Sequence, residues 1–305
     1  MRQAASTAVG LLMLVQPVFG GDFDGCQPAP IRYAAAEEQT MSIDTPDGRI
    51  SGTLAVPDNA DPSALALLLH GYTGSRNEIP VARGEGMFAR TARAFAERGI
   101  TTLRIDFIGS GRSDGDWADT RFSGQARDAR RAAIALREEF AGLDVPLGVL
   151  GYSQGGLVAL QSSASDGPFD RLALWNPVMD PMVTYGKIFG METILEASRR
   201  YERDEDQAVV DGTRLRPRFF AEIVAADPIA DAAKAAGPVL IVTGRRDPLV
   251  VEGKALAAQI SAGRAAETII LDLDAGHDLG AINEPALLDD VIACTADFLL
   301  SKPDR

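Results

Sequence analysis

The pattern of apolar and polar positions divides the chain into short apolar runs separated by longer helical ones. Residues 65–69, 101–105, 147–150, 172–175, 239–242 and 268–273 are β-branched or Leu-rich with little alternation, as in strands buried on both faces of a parallel sheet. Between them, residues 88–98, 125–140, 154–163, 253–261 and 285–300 carry apolar residues at helical spacing. Strand and helix in alternation predict an α/β architecture of parallel strands joined by crossover helices. The opening differs: residues 41–44 and 50–56 flank Thr45-Pro46-Asp47-Gly48, whose Pro and Gly suit the turn of an antiparallel hairpin.

One interval breaks the rhythm. Residues 178–226 are too long for an ordinary connection and read as a cap inserted after the sixth strand. The pattern there predicts a helical stretch near residues 188–201, a charged run at 202–206 and a small hairpin around Asp211-Gly212. Residues 41–177 and 227–305 then form the core.

The N-terminus has its own signature. Residues 8–20 are largely apolar, follow Arg2 and end in Val18-Phe19-Gly20, which reads as a secretory signal peptide over 1–20 and an extension over 21–40. Thirteen residues are too few to span a bilayer, which needs about 20, so no stable membrane association is expected after its removal. Export to the periplasm or medium follows; a competing reading starts the protein at Met41 and leaves it cytoplasmic. Cys26 and Cys294 are open to pairing after export, although Cys294 falls in a helical pattern and reads more simply as a small buried hydrophobe.

Composition narrows the chemistry. The 305 residues carry 43 acidic and 30 basic side chains, a formal net charge of −13. The basic runs Arg130-Arg131, Arg199-Arg200 and Arg245-Arg246 are short and scattered, so a nucleic-acid partner is not expected. Two histidines and two cysteines without Cys-x-x-Cys or His-x-x-x-His spacing argue against zinc. Oligomeric state stays open.

The apolar run 147–150 leads into Gly151-Tyr152-Ser153-Gln154-Gly155-Gly156 and then a helical pattern. Strand, Gly-x-Ser-x-Gly and helix is the setting of a sharp turn that exposes a nucleophilic Ser, here Ser153. A serine hydroxyl needs a base to take its proton, and the choice lies between His70 and His277. His277, in the loop after the last strand, is the better placed. A buried carboxylate should fix the tautomer of the base. Asp247, just beyond the strand at 239–242, is favoured; Asp227, Asp272 and Asp274 are its rivals. For a developing oxyanion, the backbone N–H of Gln154 lies at a helix N-terminus, and that of Tyr72 belongs to the loop His70-Gly71-Tyr72-Thr73-Gly74-Ser75. His70 then shapes that loop.

Together with the segment from Arg104 to Gly115 (Arg-Ile-Asp-Phe-Ile-Gly-Ser-Gly-Arg-Ser-Asp-Gly), these motifs resemble the α/β-hydrolase superfamily. More narrowly they resemble its serine aminopeptidase (S33-like, "hydrolase 4") and cinnamoyl or feruloyl esterase branch. The resemblance covers about residues 41–300. It implies an eight-stranded, mostly parallel sheet and a cofactor-free, metal-free hydrolase, with Ser153, Asp247 and His277 as triad and Tyr72 and Gln154 as oxyanion donors. The expected substrate is a small-molecule carboxylic ester with a small or aromatic acyl group. An aminopeptidase-type amide hydrolase and an acyltransferase are the alternatives, a non-catalytic binding protein the remote one. Met182, Tyr185, Phe189, Phe219 and Phe220 of the cap read as walls of an acyl pocket, or equally as packing of the cap on the core.

Overall fold

The computed structural model describes Phe23 and residues 26–33, 36–58, 61–82, 84–164 and 166–301; the proposed signal peptide lies outside the described residues. Strands β1 (Ala36–Thr45) and β2 (Gly48–Pro57) form the expected hairpin. They are followed by β3 (Ala64–Leu69), β4 (Ile100–Asp106), β5 (Leu147–Tyr152), β6 (Arg171–Trp175), β7 (Val239–Gly244) and β8 (Thr268–Leu273). They make one eight-stranded sheet in the order β1-β2-β4-β3-β5-β6-β7-β8. The β1–β2 and β2–β4 pairs are antiparallel and all others parallel.

The uniform apolarity of the inner strands has a direct cause. In β3, Leu65, Leu67 and Leu69 pack into one layer of the core while Ala64, Ala66 and Leu68 pack into the other. The first layer is closed by α2 (Phe122–Glu139), α3 (Gln154–Ser163) and α8 (Gly253–Ala262). The second is closed by α1 (Met87–Glu97) and α9 (Pro285–Leu300). Sandwiched strands have no solvent face and therefore no reason to alternate. Trp175 is fully buried in the second layer, and its indole N–H donates to Thr295 Oγ1 of α9 at 3.0 Å.

Between β6 and β7 lie four helices, α4 (Pro181–Phe189), α5 (Met191–Glu202), α6 (Pro217–Ala225) and α7 (Pro228–Lys234). Three begin with Pro, whose missing N–H costs nothing at the first helical turn. The helical stretch expected near 188–201 is thus two helices broken at Gly190, which sits at φ 82°. The hairpin expected at Asp211-Gly212 does not form. The segment closes instead as a compact turn in which Val210 N–H donates to Leu215 O and Thr213 Oγ1 bonds Val210 O, and no strand flanks it. The cap is tied down by Arg216 to Asp119 (3.0 Å) and Ser123 to Glu222, and braced internally by Arg218 to Asp206.

Two features extend the fold toward the N-terminus. The first strand begins at Ala36, earlier than the pattern predicts, and carries Glu38, which pairs with the buried Arg104 of β4 at 2.7 Å. Further upstream, Cys26 forms a disulfide with Cys294 of α9, so the reading of Cys294 as a free hydrophobe is corrected: it is buried and paired. Tyr33 secures the same segment, donating to Asp289 at 2.6 Å with the Arg90 and Arg93 guanidinium groups 4.6 and 4.7 Å from its ring centre.

Candidate active site

Parallel strands deliver their following loops to one edge of the sheet, and three of those loops build the site. Ser153 follows β5, Asp247 follows β7 by three residues and His277 follows β8 by four. Ser153 adopts φ 53°, ψ −117°, a strained conformation for a residue with a side chain. The flanking glycines permit it: a Cβ on Gly151 would lie 2.2 Å from Gly155 O, and one on Gly155 would lie 2.0 Å from Leu69 O. The turn itself is held by Ser153 N–H donating to Trp175 O at 2.9 Å and by Val178 N–H donating to Ser153 O at 3.0 Å.

The three side chains meet in a line. His277 Nε2 is 3.0 Å from Ser153 Oγ, and Nδ1 is 2.6 Å from Asp247 Oδ2. The other carboxylate oxygen of Asp247 accepts from the Leu249 and Val250 amides at 2.8 and 3.0 Å, so the carboxylate is buried with both oxygens engaged. The rivals are occupied elsewhere. Asp272 accepts from Thr243, Asp274 pairs with Arg246, and Asp227 caps α7 through the Ala230 amide.

Loop chemistry around His277 depends on two residues that the sequence reading does not single out. Asn176, at φ 40° just beyond β6, donates from Nδ2 to the His277 carbonyl at 2.9 Å and accepts from the Gly244 amide at 2.7 Å. It thereby bridges the loops that carry Asp247 and His277. The Tyr152 hydroxyl donates to the same His277 carbonyl at 3.1 Å, with the two rings 5.2 Å apart. An Asn directly after a buried strand was the only signal.

Tyr72 lines the cavity above Ser153, and Gln154 directly follows Ser153 in the chain. Gln154 is the first residue of α3, where a backbone N–H has no intrahelical acceptor and the helix dipole favours negative charge. Its side chain has a separate task, accepting from the Tyr185 hydroxyl and donating to Gln125 at 2.7 Å in the buried layer beneath. His70 is fully buried and shapes the loop as expected: Nδ1–H donates to Gly71 O at 2.9 Å and Nε2 accepts from the Phe107 amide at 3.3 Å. That pairing needs the neutral ring, and burial lowers its pKa accordingly. The Asp106 carboxylate accepts from the Arg76 and Arg112 amides at 2.7 and 2.9 Å, which makes the loop from residue 106 to 115 a structural brace.

Glu78 is the third residue missed. It lines the same cavity as Ser153 and His277, and its carboxylate accepts from the Gly71 amide at 2.6 Å, next to the Tyr72 amide. Burial pushes this carboxyl up to about 7, against the pull of the Gly71 and Ile79 N–H groups. Since the folded value exceeds that of an unfolded glutamate, about 4.5, its contribution to stability is full below that value and is lost as pH rises through 7. A shift of this size corresponds to about 3 kcal/mol. Glu78→Gln is therefore expected to gain on wild type between pH 5 and pH 8 in denaturant unfolding. Parallel pH curves for the two proteins would contradict this.

The cavity above Ser153 is about 250 Å³, walled by Ile79, Val178, Thr184, Tyr185, Ile188 and Leu249. Of the five cap residues proposed from the sequence, Tyr185 lines it and Phe189 lines the neighbouring cavity. Met182, Phe219 and Phe220 line neither of these two cavities. Phe219 is buried in an aromatic cluster with Tyr72, Phe122 and Tyr185 at centroid distances of 6.1, 5.1 and 5.5 Å, and Phe220 packs against it at 5.7 Å.

The fold has counterparts among known structures. The structure superposes on Est1E from Butyrivibrio proteoclasticus with ferulic acid bound, with TM-score 0.62 and 22% identity over 83% of this chain and 96% of that one. It also superposes on the esterase Pf2001 from Pyrococcus furiosus, with TM-score 0.63 and 19% identity over 90% and 97% of the two chains. The chain has the α/β-hydrolase fold. Residues 60–201 match the family model described as serine aminopeptidase, S33. That segment holds Tyr72, Ser153 and Gln154 but neither Asp247 nor His277. An acylaminoacyl peptidase from Pyrococcus horikoshii shares the fold at 14% identity, with TM-score 0.62 over 87% of this chain and 41% of that one. No curated protein matches the chain by sequence.

Proposed function

We propose that the protein is a serine hydrolase acting on carboxylic esters with small or aromatic acyl groups. The observation that carries this reading is the line Ser153 Oγ, His277, Asp247, joined by contacts of 3.0 and 2.6 Å at the carboxyl edge of the sheet. In the proposed reaction Ser153 Oγ attacks the ester carbonyl while His277 Nε2 takes its proton. The carbonyl oxygen becomes an oxyanion held by the Tyr72 and Gln154 amides. The C–O bond then breaks as His277 returns the proton to the leaving alcohol. Water, deprotonated by the same imidazole, attacks the acyl-enzyme and releases the acid and free Ser153. Asp247 holds the Nδ1–H tautomer and stabilises the imidazolium throughout.

The S33 match raises the amide reading, which requires a carboxylate to hold a free substrate amine. The cap offers Glu192, Glu196, Glu202 and Glu222, none of which lines the cavity above Ser153, and Glu196 pairs with Arg199 and Arg203 while Glu222 accepts from Ser123. The acid that lines the cavity is Glu78, whose burial favours the uncharged carboxyl and whose oxygen already accepts from Gly71. Esters therefore fit the site better than aminoacyl amides. A panel of short-chain and cinnamoyl-type esters beside aminoacyl amides tests this, with ester turnover expected; amide turnover with silent esters would overturn it.

The reading includes export. The Cys26–Cys294 disulfide suits an oxidising compartment. A chain starting at Met41 would lose both Cys26 and Glu38, leaving Arg104 a buried charge without its partner. N-terminal sequencing of the mature protein is expected to give a start near Gly21; a start at Met41 would contradict it.

A further inference from the structure

A second cavity, about 460 Å³, adjoins the one above Ser153 and shares Tyr72 and Thr73 with it. Aromatic side chains form its walls: the Tyr72 ring lies 5.5 Å from Trp117 and 5.9 Å edge-on from Phe189. The charged residue among its lining is Arg214, in the turn that replaces the expected hairpin. The neighbouring cap arginines are neutralised, Arg216 by Asp119 and Arg218 by Asp206 and Asp119. Arg214 makes no ion pair with any described residue, although the chain carries an excess of acidic groups. No Asp or Glu lines this cavity; Asp116 accepts from the Ala118 amide and Asp119 pairs with Arg216. Arg214 acts electrostatically on Tyr72, drawing its phenol pKa down against the stronger rise from burial, so its charge is felt at the wall between the two cavities.

We propose that this outer cavity is a substrate subsite that takes a carboxylate-bearing end of the ester, with Arg214 as its anion contact and Trp117, Tyr72 and Phe189 bracketing the apolar link to the scissile bond. This rests on the ester reading above. The division of labour follows from charge: the inner cavity has no Lys or Arg among its lining residues, whereas the outer one offers the Arg214 guanidinium. A guanidinium suits a carboxylate because its planar N–H groups match the two oxygens.

The test uses the full mature protein and two series of esters, each member paired with its uncharged methyl-ester or amide analogue. One series carries the carboxylate at the far end of the acyl chain, as 4-nitrophenyl monoesters of dicarboxylic acids. The other carries it on the alcohol side, as acetates of carboxyalkyl phenols. The readout is the ratio of kcat/KM for the charged ester to that for its neutral partner. Wild type is expected to favour the charged ester in one series by about tenfold, through KM rather than kcat. The preference should shrink as salt is raised, because Arg214 is exposed and screened. Arg214→Ala should remove it and Arg214→Glu reverse it. Equal ratios in wild type for both series, or a preference that survives Arg214→Glu, would overturn the subsite. Hydrolysis of the neutral partners that vanishes in Ser153→Ala reports separately on the ester reading, so the two failures are distinguishable.

Discussion

Replacement of Ser153 by Ala is expected to lower kcat on a good ester by about six orders of magnitude, leaving a residual rate that the amides of Tyr72 and Gln154 and simple binding still supply. The substitution removes one oxygen and nothing else. Asp247 stays engaged by His277 and by the Leu249 and Val250 amides, and the elbow stays held by Trp175 O and Val178 N–H, which touch only the backbone of residue 153. Alanine tolerates the positive φ about as poorly as serine, so thermal stability should change little while activity collapses. Comparison of kcat and of the thermal midpoint for the two proteins checks both halves. A variant retaining more than about a hundredth of the wild-type rate would contradict the assignment of the nucleophile.

Asp247→Asn is expected to cost about four orders of magnitude in kcat, with little change in fold. Oδ1 of the new side chain continues to accept from Leu249 and Val250, so the amide NH2 is turned toward His277 Nδ1. An amide donor there forces Nδ1 to accept and places the imidazole proton on Nε2, facing Ser153 Oγ. A ring that already donates to the hydroxyl cannot take its proton. The loss therefore comes from the wrong tautomer, and KM for a neutral ester should hardly move. Steady-state kinetics on a single ester gives the answer. A loss of less than about tenfold would mean that Asp247 only packs against the ring, and that the orientation of His277 rests on Asn176 and Tyr152 through its carbonyl.

The sequence was most legible where burial imposes a pattern. Strands β3 to β8 are apolar on both faces, and their runs emerge within a residue or two of their observed ends. At the sheet's edge the pattern weakens. In β1, residues 36–40 face solvent on most positions and read as Ala-Glu-Glu-Gln-Thr, so nothing local marks them as strand until β2 pairs with them. The short helix α7 offers too few residues for a period to show.

The site divides along the same line. Ser153, Asp247 and His277 sit at the ends of legible strands, and the scarcity of histidine left little freedom in assigning the base. Glu78 and Asn176 act through contacts with segments 7 and 68 to 101 residues away, set by how loops fold back at the sheet edge. The Cys26–Cys294 bond spans 268 residues and depends on where the N-terminal segment crosses α9. In the cap, the apolar character of Phe189, Phe219 and Phe220 was legible, but lining a cavity and packing behind one use the same residue types. Only the crossing of α4 and α6 separates the two roles.

The proposed chemistry makes Ser153 a nucleophile activated by His277. It is tested most directly by treating the protein with a fluorophosphonate at stoichiometric concentration and locating the adduct by peptide mass spectrometry. One phosphonyl group on the peptide containing Ser153 is expected, formed within minutes on wild type and suppressed in His277→Ala. An adduct on a different serine, or ester turnover that continues undiminished with Ser153 fully modified, would contradict it.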